Sequence, residues 1–348
     1  VLEGQESVSG QTAQAMVIAI EAVDPDLVKS GYDGVTGKDL VNGVKKTYNT
    51  LTRVLKFLLR EIGKLIEKIG LVMQHLGKRK ENLDVSFRDM NRTSEPKSTE
   101  LSQIGGQGLL YVDGEFMGGD PAQLSMLIKA VDYLWVTYPS RLVQVMDHIS
   151  RGAIHYKDDA DAFKKIVVGA IATIGLPDLP RLAADTYYDH GIEGGDLIAT
   201  IPFLGNVGIV MRDPKSAGKF VENGDVGDAL AFKLIPFADD APQNTAIPTP
   251  SIETIGQLKK GLDKLFTLLE KPAVISTDLR KAISDMEKVA DTLEAANGQG
   301  KESTTEIATM IGAIVGALGE PLQKIVPLIA RVTNAEINYL EKAIAQYS

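Results

Sequence analysis

The stretch Lys38–Leu83, KDLVNGVKKTYNTLTRVLKFLLREIGKLIEKIGLVMQHLGKRKENL, decides how the rest of this chain is read. Its apolar residues Val44, Tyr48, Leu51, Leu55, Leu58, Ile62, Leu65, Ile69, Val72 and Leu76 recur at alternating steps of four and three. That is a heptad seam, and it predicts a long amphipathic helix with a partner along its apolar side. Between the seam positions stand Lys45, Lys46, Arg53, Lys56, Arg60, Lys64 and Lys68, followed by Lys78, Arg79 and Lys80. Eleven Lys/Arg against Asp39, Glu61, Glu67 and Glu81 give the segment a charge of +7; the whole chain is −9, so the remainder sums to −16. A basic helix and an acidic remainder are the informative features.

Lys56, Arg60, Lys64 and Lys68 lie at successive i,i+4 positions, where like charges repel by about 0.2–0.5 kcal/mol per pair. Only Glu61 and Glu67 relieve them nearby. A solvated face opposite a coiled-coil seam needs no ligand. An anion facing the stripe would nevertheless steady it, and three remain open: the chain's own acidic surface, nucleic acid, or an anionic membrane. The stripe lacks interleaved aromatic residues, so contact with DNA would be to phosphate and independent of sequence. The ten residues Lys45 to Lys80 named above are the candidate site for nucleic acid or an acidic partner.

Outward from this helix, residues 6–23 read as a helix stopped at Asp24-Pro25, and Gly31–Gly37 as a loop. The basic helix carries Gly43, Gly63, Gly70 and Gly77, each unfavourable by about 1 kcal/mol relative to Ala, which predicts close contact with another helix. Arg88–Gly108 is polar and reads as a linker. Leu109–Met117 places two β-prone runs around Asp113-Gly114, a hairpin signal. Asp120-Pro121 then caps a helix from 121 to about 138, Pro139 restarts the chain into a helix to about Ser150, and another runs from Asp159 to Ile174. Asp196–Phe203, Val207–Arg212 and Ala229–Ile235 are candidate strands, with Leu204-Gly205-Asn206 as the first turn. Ala241–Pro250, with three prolines, reads as a second linker.

From Ser251 the chain is helical. Leu258, Leu262, Leu265 and Leu269 form one stripe before Pro272; Leu279, Ile283, Met286, Ala290 and Leu293 form another. Ser303-Thr304-Thr305-Glu306 is a capping box for the next helix, which Pro321 and Pro327 break or kink. The fold class is therefore α+β and predominantly α-helical, with long amphipathic helices flanking a small antiparallel sheet. The regions are an N-terminal helix (1–30), the basic helix (38–95), a mixed α/β centre (105–240), and a helical region packing on the basic helix (251–348).

With no Cys, disulfides and thiolate metal sites are excluded. His75, His148, His155 and His190 stand in no ligand spacing, so neither a metal nor a cofactor is expected. Asp158-Asp159-Ala160-Asp161 lacks the alternating ligands of a calcium loop and reads as acids at a helix start. Gly34–Asp39 fails the phosphate-loop pattern at Tyr32 and Asp39, and Gly105–Gly108 precedes a strand where a dinucleotide fingerprint would follow one. No catalytic residue is assigned. The apolar runs Ile166–Leu176 and Met310–Leu318 fall short of a membrane span. The second has Gly312 and Gly316 at a spacing used for close helix packing. No basic cap precedes an apolar run near Val1, so no signal peptide is expected.

In this order of parts the chain resembles the internal head (inner-body) proteins of giant, phiKZ-like tailed bacteriophages. The likeness rests on the helices 6–23 and 38–83, the turn segment Leu110-Tyr-Val-Asp-Gly-Glu115, the turn Phe203-Leu-Gly-Asn206, and the helices of 251–347. It implies a non-enzymatic structural virion protein inside the capsid, packed with the genome, alongside other head and core proteins. It further implies double-stranded DNA as a phosphate-mediated partner, and ejection into the host cytoplasm as an open question. Removal of an N-terminal propeptide by a maturation protease cutting after Glu is also implied, and Val1 is compatible with such a cut or with an end set otherwise. The acidic total is a departure that weighs against direct DNA binding more than against the location.

Two rival classes are a membrane-active ejected or pore-forming protein, drawn from the amphipathic helix and residues 310–319, and an enzyme of unrecognised family. For the enzyme only His190 with Asp185 and Asp189 offers an acid–base pair. A membrane is not expected as a partner.

Overall fold

A computed structural model describes residues 60, 74–93, 95–186, 196–237, 245–270, 272–297 and 302–348. The expected helix over 6–23, the loop Gly31–Gly37, the seam from Val44 to Val72 and the Lys-rich stripe, apart from Arg60, lie outside these residues. So do Gly43, Gly63, Gly70, Asp189 and His190.

The fold is predominantly α-helical with small antiparallel sheets. Within the stretch read as the basic helix, α1 spans 74–89. Its heptad period continues past the sequence seam, since Leu76, Leu83 and Met90 are all buried in the core. Gly77, by contrast, has nothing within 4 Å of where a Cβ would sit, so among the described residues it makes no such close contact.

The stretch after α1 corrects the reading of two linkers. Glu100–Leu101 (β1) pairs antiparallel with Ile247–Pro248 (β7), with Leu101 opposite Ile247. Both of those residues are buried. A two-residue strand has no periodicity to read, and its partner lies far away in sequence. After a 3-10 turn, Gln107–Leu110, come Tyr111–Val112 (β2) and Glu115–Phe116 (β3). They form the expected hairpin, with Val112 opposite Glu115. Asp113 (φ 52°) and Gly114 (φ 79°) both take the left-handed conformation that a two-residue turn between twisted strands requires.

Helix α2, Pro121–Val131, starts where Asp120 accepts a hydrogen bond from the Ala122 N–H, with Pro121 in the first turn. Pro139 does not restart the chain. The helix passes through a π turn, Asp132–Thr137, directly into α3, Tyr138–His155. The widened turn bonds Tyr138 N–H to the Tyr133 carbonyl five residues back, and so absorbs the donor that Pro139 lacks. Asp159 caps α4, Ala160–Ile171, and Gly175 (φ 71°) follows its end.

Three strands follow: Leu197–Ala199 (β4), Val207–Arg212 (β5) and Phe232–Pro236 (β6), antiparallel in that order. Ala229–Leu230, read as strand, instead belongs to the end of a short helix, α6 (Val226–Ala229), preceded by α5 (Ala217–Glu222). Period two decides the sheet's faces: Ile209 and Met211 join the main core, while Val210 packs with Ala199 on the other side.

Ser251 caps α7, Ile252–Leu269, whose predicted stripe Leu258, Leu262, Leu265 and Leu269 is buried. Helix α8, Pro272–Asn297, packs along α3, and α7 packs along α2. The last helix, α9, runs unbroken for 44 residues, Glu302–Ala345. Of the break or kink expected at Pro321 and Pro327, the break does not occur, and Ser303 lies within the helix instead of capping it. At about 1.5 Å per residue it is roughly 66 Å long. The 3-10 turn, α3, α4, α6, α7, α8 and β6 all pack against it, so its buried face is the axis of the core.

Candidate interface of the basic helix

Three of the ten predicted basic residues fall in α1, and the fold treats each differently. Lys78 is exposed. Arg79 donates to the Glu341 carboxylate at 2.6 Å and to the Asn334 side-chain oxygen, both on α9. Lys80 turns the other way, toward α7. A fourth, Arg60, is helical and exposed. The remaining six, Lys45, Lys46, Arg53, Lys56, Lys64 and Lys68, lie outside the described residues.

The Lys80 side builds a closed ring of alternating charge. Lys80 Nζ lies 2.9 Å from Asp84 Oδ2 and 3.1 Å from Asp263 Oδ1. Lys259 Nζ lies 2.7 Å from Asp84 Oδ1 and 2.7 Å from Asp263 Oδ1. Helical spacing explains the ring: each helix contributes a Lys and an Asp four residues apart, so the two pairs stack on facing sides. The order Lys80 beside Asp263 and Asp84 beside Lys259 means that α1 runs antiparallel to α7. Arg79 meeting Asn334 and Glu341, and the Asn91 N–H donating to the Tyr347 carbonyl at 2.9 Å, mean that it runs parallel to α9.

Burial works against charge at Lys80 and Asp84, but the bonds win. At Lys80 desolvation lowers proton affinity, yet hydrogen bonds to Asp84 and Asp263 leave it raised overall. At Asp84 desolvation opposes ionisation, yet hydrogen bonds from Lys259 and Lys80 hold its carboxyl below the ordinary range. Phe87 and Phe266 flank the ring, 6.0 Å from Lys259 Nζ and 5.8 Å from Lys80 Nζ. Removing one member leaves a partly buried charge short of its partner, so the ring fixes where α1 sits more than it adds net stability.

Other candidates gather less. His75, His148 and His155 are exposed. Asp159 caps α4 and Asp161 sits in its first turn, the role expected of that acidic run. Asp185 is exposed in a 3-10 turn, Ala184–Thr186. Among the described residues no His, Cys, Asp and Glu cluster suits a metal ion, and no helix is long and apolar enough to cross a membrane. A groove between α2 and α7 is lined by Ile128, Tyr133, Leu176 and Leu268, with the Lys129–Asp178 ion pair among its lining residues.

The two turn segments singled out in the sequence lie far apart in the chain and meet in space. The Asn206 side-chain oxygen accepts from the Asp113 N–H at 3.1 Å, and the Gly205 N–H donates to the Leu109 carbonyl at 2.8 Å. A Cβ at Gly205 would lie 2.9 Å from Val332 Cγ2, so this turn rests directly on α9. Sequence reasoning missed one residue there: Glu336, wholly buried on the core face of α9. Its signal was present, since Glu336 interrupts an apolar stripe formed by Ile329, Val332, Leu340 and Ala343.

The model of one protein family, described as phiKZ-like phage internal head proteins, matches residues 1–342. Neither a curated protein nor a solved structure matches the chain.

Proposed function

Since this chain belongs to the phiKZ-like phage internal head proteins, we propose that it serves inside the capsid as a non-enzymatic structural component packed with the genome. The match across residues 1–342 carries the reading, because it spans the basic helix, both turn segments and nearly all of the C-terminal helices. Charge division supports it. The basic segment sums to +7 within a chain of −9, and its end at Arg79 and Lys80 is held by the chain's own carboxylates. The basic helix thus has two functions in this proposal. Arg79 and Lys80 dock it on the body. Lys45, Lys46, Arg53, Lys56, Arg60, Lys64, Lys68 and Lys78 form the stripe that meets an external anion in this reading, either DNA phosphates or acidic core proteins.

Binding to random-sequence double-stranded DNA across a salt series tests this division. Retention at low salt, with log K falling linearly in log[salt], is the expected result, and the slope counts the phosphates engaged. Charge reversal at Lys56, Arg60, Lys64 and Lys68 should abolish it, while reversal at Lys80 should act on stability instead. No binding at low salt would sink genome contact and leave a component that meets other proteins of the head. Proteolytic maturation and ejection into the host extend the same proposal, and each has its own readout, the N-terminal sequence in virions and the presence of the chain in infected cytoplasm.

A further inference from the structure

Glu336 is 0 % exposed, as is Thr333 one turn before it. Among the described residues neither carboxylate oxygen of Glu336, nor the Thr333 hydroxyl, has a hydrogen-bond partner. Ile329, Val332, Tyr339, Leu340 and Ala343, its neighbours on the same side of α9, are all buried. An ionised carboxylate in such a place has lost its water and gained nothing in return.

We propose that Glu336 is a proton-operated latch: α9 stays packed in the core while this carboxyl is protonated, and the packing around it loosens when the carboxyl ionises. Burial pushes its proton affinity up, to a pKa of about 8. Among the described residues, the charged groups that neighbouring elements bring to this length of α9 are engaged elsewhere or exposed. Arg79 of α1 goes to Glu341, and Lys80 and Asp84 close on Lys259 and Asp263 of α7. Lys164 of α4 pairs with Glu306 in the first turns of α9. Asp228 of α6, Lys233 of β6, and Asp147, His148, Arg151 and His155 of α3 are exposed. So are Asp278, Lys281, Lys288 and Asp291 of α8, whose Asp285 pairs with Lys288. The 3-10 turn and β3 offer Gln107 and Phe116. Tyr339, on the next turn, is the titratable group that feels the charge of Glu336, its hydroxyl pushed up by burial first and by that charge second.

The sign follows from linkage. Below the ordinary carboxyl range, near 4.5, folded and unfolded chains both hold the proton and nothing changes with pH. Between about 4.5 and about 8 the unfolded chain ionises while the folded one resists, so packing weakens as pH rises. Above that window the loss is complete and constant. This is opposite to the behaviour of Asp84, whose depressed proton affinity favours the fold as pH rises.

Amide hydrogen exchange on the full chain, at pH 5.5 and 8.5 and corrected for intrinsic rates, reads the latch locally. Protection over 325–347 should fall roughly a hundredfold in the wild type, the change that a shift of this size implies. In Glu336→Gln and Glu336→Leu it should stay level. Equal loss in all three proteins would overturn the proposal. Should neither variant fold, the carboxyl-carbon NMR signal of Glu336 in the wild type decides: a midpoint above about 7 supports the latch, and one at about 4–5 removes it.

Discussion

Single residues set how closely the helices approach. At Gly261 on α7, a Cβ would lie 2.5 Å from Leu124 Cδ2 and 3.1 Å from Leu124 Cγ. Leu124 is itself buried and has little room to retreat. Gly261→Ala should therefore destabilise the protein by about 1–3 kcal/mol, the usual consequence of forcing a methyl into a filled core. Chemical denaturation checks this, and an unchanged or raised midpoint would show that α2 and α7 are free to move apart. Gly77 is the counter-example, since open space surrounds its missing side chain. Gly77→Ala should gain about 1 kcal/mol through helix propensity alone. Sequence could not separate these two glycines: both interrupt helices, and only the neighbour across the interface distinguishes them.

At the level of elements, what was legible had local chemistry. Asp113-Gly114 specified its hairpin because the turn demands two left-handed residues, and Asp120-Pro121 specified a helix start because cap and first-turn preferences coincide. The pairing of Leu101 with Ile247 was hidden, because each strand is two residues long and sits among linker-like residues. The prolines misled for a different reason. Pro139 is absorbed by a π turn, and Pro321 and Pro327 are carried within a continuous helix that many elements pack against, so tertiary contact outweighs the lost backbone bonds. Pro327 is exposed, so its ring fills no core space. Pro327→Ala should restore a helical hydrogen bond and raise stability by about 1–3 kcal/mol. A fall in the denaturation midpoint would mean that α9 needs the proline's bend to follow the core.

At the scale of the whole molecule, the chain closes on itself at its C-terminus. The Tyr347 carbonyl accepts from the Asn91 N–H at 2.9 Å, the Gln346 carbonyl accepts from the Lys97 N–H at 2.9 Å, and the Tyr347 hydroxyl donates to the Pro250 carbonyl at 2.9 Å. Three segments distant in sequence are thereby joined: the stretch after α1, the end of β7, and the last turn of α9. The candidate interface was half legible for the same reason. Charge and period mark the basic stripe in the sequence, but apart from Asp84 the acids that hold Arg79 and Lys80, Glu341 and Asp263, lie some 180 to 260 residues away, and no local pattern links them. Tyr347 is buried, so Tyr347→Ala removes both a core side chain and the hydroxyl bond to Pro250. The expected loss is about 3–5 kcal/mol, the range for deleting a buried aromatic ring. Because α1, β1 and β7 depend on the same closure, the loss should move one cooperative thermal transition as a unit. An early, separate transition in the variant, with the rest of the unfolding curve unmoved, would show that this corner folds apart from the α9 core.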